Sequence, residues 1–135
     1  MLSLISKRIN ISSVRNLAMA TVDKIVHMEE MEKLANDKNV LIIDVREQNE
    51  VKSTGIIGSS VNIPLNNLQH ALKDAPKEEF SKLYGRSKPV SNSPMIFYCL
   101  KGRRALQALE LAESLGFKNG RYYKGSWAEW SSKHH

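Results

Sequence analysis

The stretch of sequence that decides the fold reads Pro94-Met95-Ile96-Phe97-Tyr98-Cys99-Leu100-Lys101-Gly102-Arg103-Arg104. Its run of apolar and aromatic residues predicts a buried strand over residues 95–98, and apolar residues at helical spacing predict a helix over 104–115. Cys99 therefore lies where a strand turns into a helix. In an α/β protein this junction lies at the carboxyl end of the sheet, which is the edge where ligands bind.

The chemistry expected at this turn depends on Cys99, the only cysteine of the chain. Backbone N–H groups at the start of a helix point toward such a sulfur, and the helix dipole adds partial positive charge. Lys101, Arg103 and Arg104 add three cations close by in the sequence. We expect the thiolate to be the reactive form at neutral pH and the turn to hold an anion. The alternative is an inert core thiol, because free cysteine is among the most buried residue types.

The turn has the spacing Cys-x-x-Gly-x-Arg, in which Gly102 stands where the chain must bend tightly. This spacing resembles the active-site loop of the rhodanese family, whose cysteine carries a sulfane sulfur as a persulfide. The resemblance implies that Cys99 is the catalytic nucleophile. It implies a substrate-binding loop made of Leu100, Lys101, Gly102, Arg103 and Arg104. Arg104 either contacts the anion or fixes the loop by bonding backbone carbonyls or an acid.

Three further segments are similar to the same family. Residues 40–47 resemble its buried strand ending in Asp-Val-Arg, and residues 55–64 resemble Gly-His-Ile-x-Gly-Ala-x-Asn-Ile-Pro, with Ile56 where a histidine is common. Residues 123–130 resemble its closing Tyr-x-Gly-Gly-x-x-x-Trp. The resemblance extends over roughly residues 22–131. Within the family, the chain is most similar to the single-domain thiosulfate:glutathione sulfurtransferases and the rhodanese-type heat-shock proteins of insects.

The order of predicted elements indicates an α/β fold. Apolar and β-branched runs predict five strands, near residues 24–27, 40–45, 61–63, 95–98 and 121–123. Helical patterns and end signals predict helices over 28–35, 65–71, 76–84, 104–115 and 127–131. This alternation predicts a mainly parallel five-stranded sheet with helices on both faces. A chain of 135 residues buries one core, so we expect a single rhodanese-like domain over residues 22–133.

Two residues outside the loop are candidates for the site. Asp44 ends the strand predicted over 40–45. We expect its carboxylate to bond loop amides and organise the floor of the site, and direct catalysis is the alternative. Trp127 follows Gly125-Ser126 and is the better of the two tryptophans for lining a pocket.

The first 22 residues differ in composition from the remainder. They contain Lys7, Arg8 and Arg15 but no acid, are rich in serine, and place apolar residues so that a helix would be amphipathic. This composition is typical of a mitochondrial transit peptide, which we expect over residues 1–21 and which predicts a matrix location. A disordered basic leader is the alternative. Initiation at Met19 would produce a cytosolic form.

Charge and composition narrow the expected partners. The net charge is +6, and three of these charges belong to the leader, which leaves +3 for the remainder. That excess forms no long basic run with interleaved aromatics, so we expect no nucleic-acid partner. The apolar runs of the leader are too short and too interrupted by charge to span a bilayer, so no membrane partner is expected.

The single cysteine also defines the expected chemistry of the partners. Metal-ligand spacings are missing from the sequence, and neither a metal nor an organic cofactor is expected. The family resemblance implies a small anionic sulfur donor such as thiosulfate. With no second cysteine to resolve a persulfide, the acceptor is an external thiol, either glutathione or thioredoxin. Two alternatives remain: a non-catalytic rhodanese module that binds a protein partner, and a phosphatase or arsenate reductase, which the family builds with a loop one residue longer.

Overall fold

The computed structural model describes residues 24–134 of the chain. The strands are β1 (Ile25–Val26), β2 (Leu41–Asp44), β3 (Val61–Asn62), β4 (Met95–Tyr98) and β5 (Gly120–Tyr123). The helices are α1 (Met28–Leu34), α2 (Gln48–Thr54), α3 (Leu65–Gln69), α4 (Lys77–Tyr84), α5 (Arg103–Ser114) and α6 (Ser126–Lys133). A π-helical stretch, His70–Asp74, continues α3 directly.

The five strands form one sheet in the order β1-β5-β4-β2-β3, and every pair in it is parallel. The register aligns Asp44 of β2 with Tyr98 of β4. It also aligns Phe97 of β4 with Tyr122 of β5. Because the strands are parallel, the residues that follow β2, β4 and β5 meet at one edge of the sheet. Cys99 follows the central strand, so it lies in the middle of that edge.

Each face of the sheet is covered by its own apolar core, as the alternation along β4 shows. Met95 and Phe97 belong to the core shared with α5, whereas Ile96 and Tyr98 belong to the core shared with α1. Side chains alternate between the faces of a strand, so a continuous apolar run is what a strand buried on both faces requires. The predicted α/β fold, with a parallel five-stranded sheet and helices on both faces, is confirmed.

Most element ends lie within one or two residues of the predicted ones, and the structure differs more substantially in two places. The segment Gln48–Thr54, to which no element was assigned, forms helix α2; it buries none of its residues and so carries no apolar periodicity. The helix predicted over 65–71 instead changes to π-helix at His70 and ends at Asp74. The predicted leader and Met19 lie outside the described residues. Within residues 24–134, no helix is both long and apolar enough to cross a membrane.

Candidate active site

The turn after β4 is built around a glycine. Gly102 has a φ of 103°, in the left-handed region that favours glycine. A Cβ atom at this position would lie 2.4 Å from the backbone oxygen of Lys124, which no real contact allows. The close approach of the loop to the chain after β5 therefore requires glycine here. Helix α5 begins at the next residue, Arg103, so the turn is one residue shorter than the helix predicted over 104–115 implies.

The sulfur of Cys99 lies at the positive end of α5. Its Sγ accepts a hydrogen bond from the backbone N–H of Gly102 at 3.0 Å and another from Ala105 N–H at 3.3 Å. The residue is buried, with 1% of its surface exposed. The amides stabilise negative charge on sulfur, and the dipole of this 12-residue helix acts in the same direction. The two N–H donors are those that an anion-holding turn requires, whereas the burial of Cys99 within the core shared with α5 is also what the core-thiol alternative predicts. The role of Cys99 as nucleophile stays a prediction.

The start of α6 holds the backbone of the same turn. The N–H of Cys99 donates to Ser126 Oγ at 3.1 Å, and its C=O accepts from Trp127 N–H at 2.9 Å. The C=O of Leu100 accepts from Ala128 N–H at 2.9 Å. Both polar backbone groups of the cysteine are therefore bonded by one short segment that follows β5. Ser126 was not among the predicted site residues.

Arg104 does not act as a free cation. Its guanidinium forms a two-pronged ion pair with Glu50 of α2, with Nη1 to Oε2 at 2.8 Å and Nη2 to Oε1 at 3.0 Å. This bond lowers the pKa of Glu50 to about 2 and raises the pKa of Arg104 above its ordinary value. Of the two roles considered for Arg104, the contacts favour fixing the loop through an acid. Glu50 carries no sequence signal that connects it to the loop, from which it is separated by about fifty residues.

The other loop residues lie at the surface. Lys101 and Arg103 are exposed, and Leu100 keeps 36% of its surface accessible. No carboxylate among residues 24–134 forms an ion pair with Lys101 or Arg103. These two cations remain available to attract an anion from solvent.

Asp44 and Trp127 are joined through Arg46. Asp44 Oδ1 accepts from the backbone N–H of Arg46 at 3.0 Å, and its Oδ2 pairs with Nη2 of the same residue at 2.7 Å. Burial, the largest single influence, lowers the pKa of Arg46, but the hydrogen bond to Asp44 and the attraction of nearby negative groups together raise that pKa above its ordinary value. The guanidinium lies 5.0 Å from the centre of the Trp127 ring. Asp44 thus bonds an amide of the loop after β2, and the Arg46 side chain of the buried ion pair lies against the Trp127 ring. That Trp127 lines a substrate pocket stays a prediction.

Comparison with known proteins identifies this arrangement. Residues 27–133 match the Rhodanese-like domain. The chain belongs to the rhodanese family. It is similar to the Rhodanese domain-containing protein CG4456 of Drosophila melanogaster, with 45% identity over 105 residues that cover 78% of this chain and 94% of the relative.

Other similar members of the rhodanese family have named activities. The human thiosulfate:glutathione sulfurtransferase is 36% identical, over 80% of this chain and 93% of its own. The mitochondrial thiosulfate sulfurtransferase RDL2 of Saccharomyces cerevisiae is 44% identical, over 73% of this chain and 64% of its own. The solved structure of the human single-domain sulfurtransferase TSTD1 superposes with a TM-score of 0.75 at 34% identity, covering 83% of this chain and 98% of that one. The chain is therefore a single-domain sulfurtransferase of the rhodanese type.

Proposed function

We propose that the protein moves a sulfane sulfur from thiosulfate, or from another small anionic persulfide donor, to a thiol through a persulfide on Cys99. One observation carries the proposal: at the start of α5, the Cys99 sulfur accepts hydrogen bonds from the backbone N–H groups of Gly102 and Ala105. Relatives named for thiosulfate, and for thiosulfate with glutathione, support this donor and acceptor.

In the first step, the Cys99 thiolate attacks the outer sulfur of thiosulfate. A new bond forms between Sγ and that sulfur, and the bond between the two thiosulfate sulfurs breaks. Sulfite leaves with the electron pair, so the cysteine is left as a persulfide with one added sulfur. Exposed Lys101 and Arg103 attract the dianion and stabilise the departing charge. Arg104 stays paired with Glu50 and holds α5 in place.

In the second step, an external thiolate attacks the outer sulfur of the persulfide. The bond between that sulfur and Sγ breaks, and the Cys99 thiolate leaves with the electron pair. Its Sγ then again accepts the hydrogen bonds from the backbone N–H groups of the turn. An acceptor from outside is required because the chain has a single cysteine. Glutathione is the acceptor that the relatives support, and thioredoxin is the protein alternative. Neither step requires a metal or an organic cofactor.

A mitochondrial matrix location is proposed on two grounds. The leader over residues 1–21 has the composition of a transit peptide, and the yeast relative is named as mitochondrial. A tagged full-length chain should enter mitochondria and be shortened, whereas a chain that starts at Met19 should stay in the cytosol. An even cytosolic distribution of unprocessed full-length protein would contradict the location.

Intact mass spectrometry tests the persulfide directly. After incubation with thiosulfate, the parent protein should gain the mass of one sulfur atom, and glutathione should then remove it. Cys99→Ser is the matched control and should gain nothing, because a hydroxyl neither ionises near neutral pH nor carries a sulfane sulfur. A folded parent that thiosulfate leaves unmodified would overturn the proposal in favour of the non-catalytic module.

The phosphatase alternative is tested by an aryl phosphate assay alongside. The turn closes at Arg104 with four residues between it and Cys99, one fewer than the family resemblance implies for a loop that holds a tetrahedral phosphate. Phosphate release should be negligible in the parent and in Cys99→Ser alike. Release that depends on Cys99, in the absence of sulfur transfer, would assign the site to phosphate chemistry.

A further inference from the structure

Ser126 has an unusual backbone conformation beside the nucleophile. Its φ is 54°, and within residues 24–134 no other residue except glycine has a positive φ. A side chain with a Cβ atom is strained in this region, so the conformation persists only where the surrounding contacts enforce it. The residue is fully buried. The strain calls for an explanation in the contacts of the side chain.

The hydroxyl of Ser126 bridges the ends of two neighbouring strands. Its oxygen accepts the N–H of Cys99 at 3.1 Å, and its proton is donated to the C=O of Tyr123 at 2.8 Å. A hydroxyl has one proton and two lone pairs, so both bonds are formed at once. The last paired residues of β4 and β5 are Phe97 and Tyr122, and the hydroxyl continues the connection beyond them.

This bridge acts directly on the residue that carries the reactive sulfur. Cys99 Sγ lies 3.9 Å from the Ser126 oxygen, whereas it accepts the N–H groups of Gly102 and Ala105 at 3.0 and 3.3 Å. The hydroxyl therefore fixes the backbone of Cys99, and the loop amides hold its sulfur. A small rotation of the Cys99 peptide would carry the sulfur away from both amides. Reaction rates are sensitive to such shifts, because a displacement of about 1 Å costs on the order of a hundredfold.

We infer that Ser126 is a positioning residue for sulfur transfer: its hydroxyl orients Cys99 within the loop, and the strained backbone of Ser126 brings that hydroxyl into place. The inference rests on the proposed function of Cys99. Neither glycine nor alanine supplies the oxygen, although glycine adopts a positive φ without strain. The roles of the side chain and of the backbone are therefore separable by substitution.

Steady-state kinetics with thiosulfate and glutathione would compare Ser126→Ala, Ser126→Gly and a matched control, Gly85→Ala. Gly85 ends α4 with a φ of 68° and open space around it, so alanine there adds strain without touching the site. Both Ser126 variants should lose about tenfold in kcat. The KM for thiosulfate should stay within about twofold, since the buried hydroxyl bonds the Cys99 backbone and lies apart from the exposed cations Lys101 and Arg103 that attract the donor. Gly85→Ala should lower the melting temperature and leave kcat unchanged.

The two substitutions at Ser126 give opposite results if its role is only structural. A kcat equal to the parent's in Ser126→Gly, but a reduced kcat in Ser126→Ala, would show that only the positive-φ backbone at this position matters. That result would overturn the inference. If Ser126→Ala fails to fold, Ser126→Gly provides the test, and a kcat within about twofold of the parent would then contradict the role of the hydroxyl.

Amide hydrogen exchange gives a readout that does not depend on thiosulfate. The N–H of Cys99 should exchange at least about tenfold faster in either Ser126 variant, while the neighbouring amide of Tyr98 stays protected. Unchanged exchange at Cys99 would contradict the bridge itself. If the parent transfers no sulfur but Cys99 N–H still exchanges faster in the Ser126 variants than in the parent, the proposed function is refuted. The hydrogen-bond bridge through Ser126 would then still be supported.

Discussion

Two arginine–carboxylate pairs flank the Cys99 turn, and they differ in burial. Arg46 and Asp44 expose 1% and 0% of their side chains, whereas Arg104 and Glu50 expose 31% and 33%. Both pairs join two arginine nitrogens to two carboxylate oxygens. The contact between guanidinium and carboxylate is thus of the same kind in both pairs. The buried pair has less solvent around it, and its guanidinium also donates to Thr54 and Gly55. Because of this difference in burial, we expect the Arg46–Asp44 pair to contribute mainly to the stability of the fold. We expect the Arg104–Glu50 pair to contribute mainly to the geometry of the loop.

The physical reason is the cost of an unpaired charge. A charge left alone in the interior has lost its water and gained no partner, so removal of one member of a buried pair is strongly destabilising. At the surface, water replaces the missing partner, and the loss is small. The Arg104–Glu50 pair is nevertheless the direct tie between α2 and the first turn of α5, where the Cys99 sulfur is held.

The largest effect is expected when the buried pair is broken. Arg46→Met leaves the Asp44 carboxylate buried without its cation, and the free energy of unfolding in urea should fall by about 3–5 kcal/mol. Arg104→Met, the same substitution at the exposed pair, should cost less than about 1 kcal/mol. Equal losses of unfolding free energy in the two variants would show that burial does not determine how much each pair contributes to stability.

Loss of the two-pronged contact between Arg104 and Glu50 should affect catalysis more than stability. Arg104→Lys keeps the charge but replaces a planar fork with a single point contact, so the start of α5 is held less firmly. We expect kcat for sulfur transfer to fall about tenfold, with a change in unfolding free energy below about 1 kcal/mol. Arg121→Lys is the control, because Arg121 also pairs with a glutamate, Glu30, away from the loop. A similar fall of kcat in that variant would remove any special role of Arg104.

Acid should weaken the exposed pair over a defined range of pH. The Arg104 bond lowers the pKa of Glu50 from 4.5 to about 2, so its stabilising contribution is complete above about pH 4.5 and declines as pH falls toward 2. The difference in unfolding free energy between parent and Glu50→Gln should be below about 1 kcal/mol near neutral pH, because solvent screens the pair. Urea titrations at about pH 6 and about pH 2.5 should show this difference shrinking. A difference that grows in acid contradicts the assignment.

The smallest effect is expected from the unpaired cations. The double substitution Lys101→Ala with Arg103→Ala should lower kcat/KM for thiosulfate a few-fold at low salt, with little change at high salt. The control removes the same charge at the opposite edge of the sheet, through Lys38→Ala with Lys118→Ala, before β2 and β5. Equal salt dependence in both double variants would attribute the effect to net charge rather than to the loop.

The features that the sequence determined by itself are local. The apolar run of β4, the cysteine after it, Gly102 and the amphipathic α5 lie within about twenty consecutive residues, and each follows from sterics, periodicity or helix ends that act over a few positions. The position of Cys99 at the start of a helix and the parallel sheet are therefore both predicted correctly. Helix α2 was missed because it buries nothing, and a helix without an apolar face leaves no periodic signal.

The contacts that support the loop were decided only by the tertiary structure. Glu50 meets Arg104 across 54 positions of sequence, and Ser126 meets Cys99 across 27. Glutamate and serine occur on every protein surface, so their composition does not reveal which partner they find. The partners follow from the order of strands in the sheet, which places the ends of β2, β4 and β5 side by side. Long-range adjacency of this kind arises from the packing of the whole chain, and no short stretch of it carries that information.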